Sequence, residues 1–181
     1  MKRLLIILLA AAAFTSCGDK KSGGTDSGAD APKNVKTPLN VTLTAPFYGD
    51  TPTIKITSVT MNFKPDTGKV QFDPSENKEQ FVKLEMTVTN TSDGPFVINT
   101  TKFYLKGDST HGEKYPTSSL KGLVKDELKD DEGNLKKGES RSFAVYYTDI
   151  SNKETVGTLS FMIDGTDWGG KPTKPVVRLK P

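Results

Sequence analysis

One cysteine, one histidine and one tryptophan serve all 181 residues, and each scarcity closes off a kind of chemistry. A single cysteine forbids any disulfide within the chain, so an exported domain would have to stand on its hydrophobic core alone. One histidine, His111, and a lone cysteine expected to be taken up by acylation leave no Cys/His catalytic pair and none of the usual zinc spacings. A serine triad would have to use His111 without any nucleophile motif nearby, and no phosphate-cradling glycine motif is present. Charge of one sign is also missing. With Lys2 and Arg3 of the leader set aside, the 25 basic residues become 23 against 22 acidic ones, a balance near +1 that argues against a nucleic-acid partner.

Long hydrophobic runs are scarce too. The only one extends from Leu4 to Phe14 behind Lys2 and Arg3, shorter than the roughly 20 residues a membrane span requires, and it reads as a signal peptide over residues 1–16. Phe14-Thr15-Ser16-Cys17 resembles a bacterial lipobox, whose cysteine is acylated and becomes the first mature residue. Phe14 stands where leucine is usual. Cys17 could instead pair with another molecule or sit beside a conventional cleavage site, but the lipid anchor is the expectation, with several acyl chains needed for stable attachment. Gly18, rather than aspartate, follows Cys17 and points to the outer membrane. The Gly-, Ser- and Asp-rich stretch to Asn34 has little to bury and reads as a disordered tether over 17–34, with a reach of about 20 to 25 Å. Its Lys20, Lys21 and Lys33 are either a solvated linker or a touch on anionic lipid.

Residues 35–181 read as one all-β domain. In Phe81 to Thr89, Val82, Leu84, Met86 and Val88 alternate with Lys83, Glu85, Thr87 and Thr89, the pattern of a half-buried antiparallel strand. Asn90 to Pro95 makes the turn, and Phe96 to Asn99 begins another strand. The same reasoning gives strands near Leu39 to Ala45, Thr53 to Phe63, Lys102 to Lys106, Ser142 to Thr148, Thr158 to Ile163 and Val176 to Lys180. Seven to eight strands form an antiparallel sandwich. In Thr53 to Phe63 the apolar set slips by one residue, from Ile54 and Ile56 to Val59, Met61 and Phe63, so a bulge or a crossover between sheets is expected. Ser118 to Leu128 reads as an amphipathic turn or short helix over a sheet edge.

The strand ending in Val88 to Pro95, then Phe103 to Asp108, Gly112 to Tyr115, Lys137 to Ser140 and Phe143 to Tyr147, resembles a family of extracellular bacterial immunoglobulin-like domains of unknown function. That family is related in fold to a secreted mycobacterial immunoprotective antigen. The resemblance covers Thr53 to Ile163 and implies an immunoglobulin-like fold; it supplies no catalytic residue. The residues themselves give Asn90 the role of capping a strand end and Gly138 that of allowing positive φ. Gly107 to Tyr115 reads as a hairpin loop with Tyr115 returning to the core.

Candidate sites are few. His111 reads as an exposed loop residue. The acidic run Asp126, Glu127, Asp130, Asp131 and Glu132 could offer oxygen ligands to calcium, with Asp130, Asp131 and Glu132 its centre, but the interleaved lysines favour a solvated loop. Trp168, in a glycine-flanked loop, either stacks on a sugar or a protein partner or plugs one end of the sandwich. Paired carboxylates for glycoside hydrolysis are not readable from spacing. The expectation is a non-catalytic lipoprotein of the cell envelope, without a cofactor, that meets an envelope or extracellular protein or glycan around Trp168, Tyr115 and His111. A structural or assembly subunit is the alternative, and a carbohydrate-active hydrolase a further one.

Overall fold

Alternation carried into three dimensions gives two sheets that share one core. The computed structural model describes residues 34–44, 46, 50–65, 78–118, 120–121, 123–129, 131–166 and 169–181. The expected leader, Cys17, the tether up to residue 33, Asp130 and Trp168 lie outside the described residues. Within them are strands β1 (Val35–Thr44), β2 (Thr53–Met61), β3 (Glu79–Thr89), β4 (Phe96–Val97), β5 (Phe103–Gly107), β6 (Asn134–Leu135), β7 (Ser140–Ser151), β8 (Leu159–Ile163), β9 (Gly165–Thr166), β10 (Pro172–Thr173) and β11 (Val176–Arg178). Eight of them fall where the sequence places strands. The other three, β6, β9 and β10, are two residues long, too short for any periodicity to announce them.

One sheet runs β1-β2-β3-β7 and the other β11-β8-β5, with β4-β6 and β9-β10 as separate ribbons. All the strand pairs are antiparallel. Between the sheets lie Ile54, Ile56, Val59, Leu84, Met86, Phe143, Val145 and Tyr147 from the first and Phe103, Leu105, Leu159, Phe161 and Ile163 from the second. The two faces meet as a packed sandwich, and the rings of Phe103 and Phe161 contact edge to face, centroids 5.6 Å apart.

The one-residue slip in β2 is a bulge. Ile56 pairs with Met86 but Ser58 with Glu85, so Thr57 is the extra residue and Val59 and Met61 return to the core face. A second bulge lies in β7, where Tyr147 pairs with Val82 and Ile150 with Gln80. Asp149 there takes φ +58°, and the bulge turns Ile150 inward.

The turn after β3 is built on Asn90, which is fully buried. Its amide donates to the carbonyls of Gly94 at 2.8 Å and Leu135 at 3.0 Å, and its Oδ1 accepts from the Ser92 N–H at 2.9 Å. The Oδ1 also accepts from Ser92 Oγ at 2.5 Å, so the whole side chain is hydrogen-bonded, as a buried amide requires. Gly138 has φ +78° and donates its N–H to Asn90 O at 2.8 Å. At the opposite end Glu154 is buried under β5, and its Oε1 accepts from Ser109 N at 2.5 Å and Thr110 Oγ1 at 3.0 Å.

Candidate binding groove

β7 is the last strand of its sheet, and its free edge is occupied by the chain itself. Thr117 N donates to Tyr146 O and Ala144 N to Asp126 O, both at 2.7 Å, with bridges from Pro116 to Tyr147 and from Glu127 to Ala144. Residues 116–127 thus form a strap pinned to β7 at both ends. Turn bonds from Lys121 N to Ser118 O and from Leu123 N to Leu120 O lie between the pins, so the amphipathic segment folds as turns and not as a helix. Eleven residues with a glycine among them cannot sustain an isolated helix, and the β7 edge offers the backbone better partners. The strap buries Leu120 against Ala144 and Tyr146, with Phe63 and Val124 alongside. A second, smaller core therefore covers the outer face of the four-stranded sheet.

That cover changes the polar face of β3. The Lys83 side chain is only 13% exposed; it lies 2.9 Å from Glu85 Oε1, pairs closely with Asp126 and sits over the rings of Phe63 and Tyr146. Glu85 also holds Lys36 and accepts from Ser58 Oγ, and Tyr146 OH donates to Asp126. Burial pushes the Glu85 carboxyl up, but the bonds from Lys36, Ser58 and Lys83 outweigh it and hold it at about 2. Asp126 follows the same logic: burial raises it, and Lys83 and Tyr146 bring it below its usual value. For Lys83 burial lowers the pKa, yet the two carboxylates leave it raised. The charges of this partly exposed cluster are mutually paired, and the Lys83–Asp126 contact fastens the strap to β3.

Beside it the strap, β7 and the one-turn 3-10 helix at Thr100–Lys102 enclose a groove of ≈ 450 Å³. Thr100, Thr101, Thr117 and Ser118 supply hydroxyls, and Leu128, Ala144 and Val145 supply apolar surface. Among the described residues, Lys121 and Glu127 are the ionisable lining residues besides the tyrosines. Tyr115 walls one side and is 60% exposed, so it does not return to the core. Instead its ring meets the buried Tyr104 edge to face at 4.6 Å. Tyr104 is fixed in turn by its hydroxyl on Asp164 Oδ2 at 3.2 Å and by Lys174, 5.3 Å from its ring centroid. Lys174 is paired with Glu113 at 2.6 Å. Burial, then Asp164, pushes the Tyr104 hydroxyl up to about 12, so Tyr104 remains a neutral donor.

Comparison with known proteins bears on this domain directly. A family described as a domain of unknown function, DUF4352, matches residues 47–173. The chain belongs to the DUF4352 family. The match extends beyond Thr53 to Ile163 on both sides. Three solved structures share the DUF4352 chain's fold at low identity. A candidate lipoprotein (ycdA) from Bacillus subtilis has a TM-score of 0.52 and 14% identity, covering 78% of this chain. A functionally unknown protein from Listeria monocytogenes gives 0.51 and 11% over 81%, and the Bacillus subtilis yjhA protein 0.51 and 16% over 79%. The alignments span 39%, 88% and 99% of those chains respectively, so the first relative is far longer than the shared fold. No curated protein matches with significance.

Within this DUF4352 domain the sequence-expected residues scatter. His111 is exposed at the tip of the loop after β5, which returns through paired bonds between Leu105 and Lys114 at 2.8 and 2.9 Å. The acidic run divides: Asp126 faces Lys83 and Tyr146, Glu127 lines the groove, Asp131 is exposed and Glu132 accepts from Lys129 N at 3.4 Å. Among the described residues no three metal-ligating side chains come together. Of the contact candidates within the described residues, Tyr115 lines the groove and His111 does not; Trp168 lies outside the described residues. Tyr104, Thr117 and Ser118 were missed, because strand and loop patterns do not show which segment crosses which edge.

Proposed function

We propose that the protein is a lipid-anchored cell-envelope component whose DUF4352 domain binds a partner without catalysis, through the groove walled by Tyr115. The observation that carries this reading is the groove's lining: an exposed aromatic ring on a rigid support, hydroxyls around it and, among the described residues, Glu127 as its single carboxyl group. Glycoside hydrolysis works with two carboxyl groups flanking the bond. One carboxyl among hydroxyls and a tyrosine suits recognition instead, since pockets of this size bind through an apolar wall and a few placed polar groups.

The anchor half of the proposal rests on Cys17 behind its apolar leader, with the outer membrane favoured by Gly18. The description of one structural relative as a candidate lipoprotein agrees with it. The immunoglobulin-like kinship suggested by the strand motifs belongs to the same reading. Two measurements test it. The intact mass and membrane fractionation of the native chain beside Cys17→Ser should show acyl mass and sedimentation only in the former; a soluble, unacylated native chain would refute the anchor. Capture of envelope material by the domain should fall in Tyr115→Ala, and equal capture would refute the groove.

A further inference from the structure

Two observations narrow what the groove accepts. The first concerns the sheet edge it follows. A peptide recognised by strand addition needs an open row of N–H and C=O groups, but beside the groove Tyr146 O and Ala144 N are taken by Thr117 N and Asp126 O at 2.7 Å. The backbone therefore offers no ladder, and recognition falls to side chains.

The second is the character of those side chains. Thr100 and Ser118 present hydroxyls that can each donate one bond and accept others, the same dual capacity as a sugar hydroxyl, while the Thr101 hydroxyl donates to Asn99 Oδ1 at 2.6 Å and keeps its acceptor capacity. Lys121 and Glu127 cancel in formal charge, so the described lining residues carry no excess sign to select a phosphate or a polyanion. Tyr115 is fixed against Tyr104 at an interplanar angle of 69°, and Tyr104 is itself tied to Asp164. The 60% exposure of Tyr115 leaves ring surface for the C–H-rich face of a pyranose, which carries the slight positive charge that aromatic faces attract. Because the ring is already immobilised, little side-chain entropy is lost on binding.

We infer that the groove binds a neutral, polyhydroxylated glycan chain, with Tyr115 as the stacking platform and the Ser118 hydroxyl on the strap as a hydrogen-bonding partner. This rests on the groove being the binding site. The full chain, held in a detergent without a sugar headgroup, is titrated with chitotetraose, cellotetraose and maltotetraose and with a neutral Gly-Ser octapeptide, and amide shifts are followed by NMR. Saturable shifts at residues 115–118 with at least one oligosaccharide are expected. Affinity should weaken about tenfold in Tyr115→Ala, be kept in Tyr115→Phe, and fall in Ser118→Ala. Tyr115→Phe keeps the edge contact with Tyr104 and should melt as the wild type does, whereas Tyr115→Ala gives that contact up and should melt a few degrees lower while staying folded. No saturable shift with any of the oligosaccharides, or binding unchanged by Tyr115→Ala, overturns the inference. Shifts at the same residues with the peptide alone also overturn it, yet leave the groove as a binding site; envelope capture that is equal in Tyr115→Ala and the native chain would instead remove that earlier reading.

Discussion

Gly107, the last residue of β5, is the position where the structure predicts the sharpest penalty from the smallest change. Its φ is not in the left-handed range, so alanine is allowed by the backbone and, without neighbours, would stabilise by about 0.4 to 1 kcal/mol through the unfolded chain. Neighbours decide otherwise. A Cβ there would run into the carboxyl carbon and Oε1 of Glu154 and stand 2.8 Å from Thr110 Oγ1. Glu154 cannot step aside freely: it is buried and accepts from Ser109 N at 2.5 Å, Thr110 Oγ1 at 3.0 Å and Thr158 Oγ1 at 2.5 Å. Displacing it forfeits two or three bonds of about 1 to 1.5 kcal/mol each, so Gly107→Ala should cost about 3 kcal/mol. For a chain of this size that is a melting temperature lower by about 6 to 12 °C. The decisive assay is a double-mutant cycle read by denaturant unfolding. In a Glu154→Ala background the same Gly107→Ala should cost under about 0.5 kcal/mol or stabilise. Equal cost in both backgrounds would refute the argument, since the penalty would then not pass through Glu154.

Further outcomes follow from the strap and the core. Glu85 and Asp126 have carboxyl groups held below their unfolded values of about 4.3 and 3.9. Their contribution is whole above those values and is lost as pH falls toward about 2 for Glu85; urea unfolding over an acid series should show that slope, and Glu85→Gln should flatten it. Lys83→Met should destabilise by about 1 to 3 kcal/mol, less than a fully buried pair because the cluster is partly solvated; hydrogen exchange should quicken at the Thr117 and Ala144 amides, and unchanged exchange would count against the strap's fastening. Tyr147 is wholly buried and its hydroxyl has no hydrogen-bond partner among the described residues. Tyr147→Phe should therefore stabilise by about 1 kcal/mol, and a lower denaturant midpoint would contradict this.

Much of this molecule was already written along the chain. Val82, Leu84, Met86 and Val88 fix the inner face of β3 because a strand's side chains alternate with a period of two. The slip between Ile56 and Val59 announces the Thr57 bulge for the same reason: without an extra residue, apolar side chains would switch to the other face. Asn90 and Gly138 identify a turn by local hydrogen bonding and dihedral freedom alone. Such features depend only on near neighbours in sequence, and so does the lipobox-like reading of Cys17.

What the tertiary structure decided is what lies opposite. Alternation assigns Lys83, Glu85 and Ser58 to the outer face of their sheet, but nothing local says that the strap will bring Asp126 onto Lys83. Tyr115 returns from its hairpin as an apolar residue should, yet it stops on the ring of Tyr104 and stays exposed, because that site is already packed by Tyr104 and Lys174. The groove exists only where the strap, β7 and the turn at Thr100–Lys102 meet, three segments separated by long stretches of chain. Periodicity records which residues share a face; which segment covers that face is set by long-range packing, and the candidate site is made there.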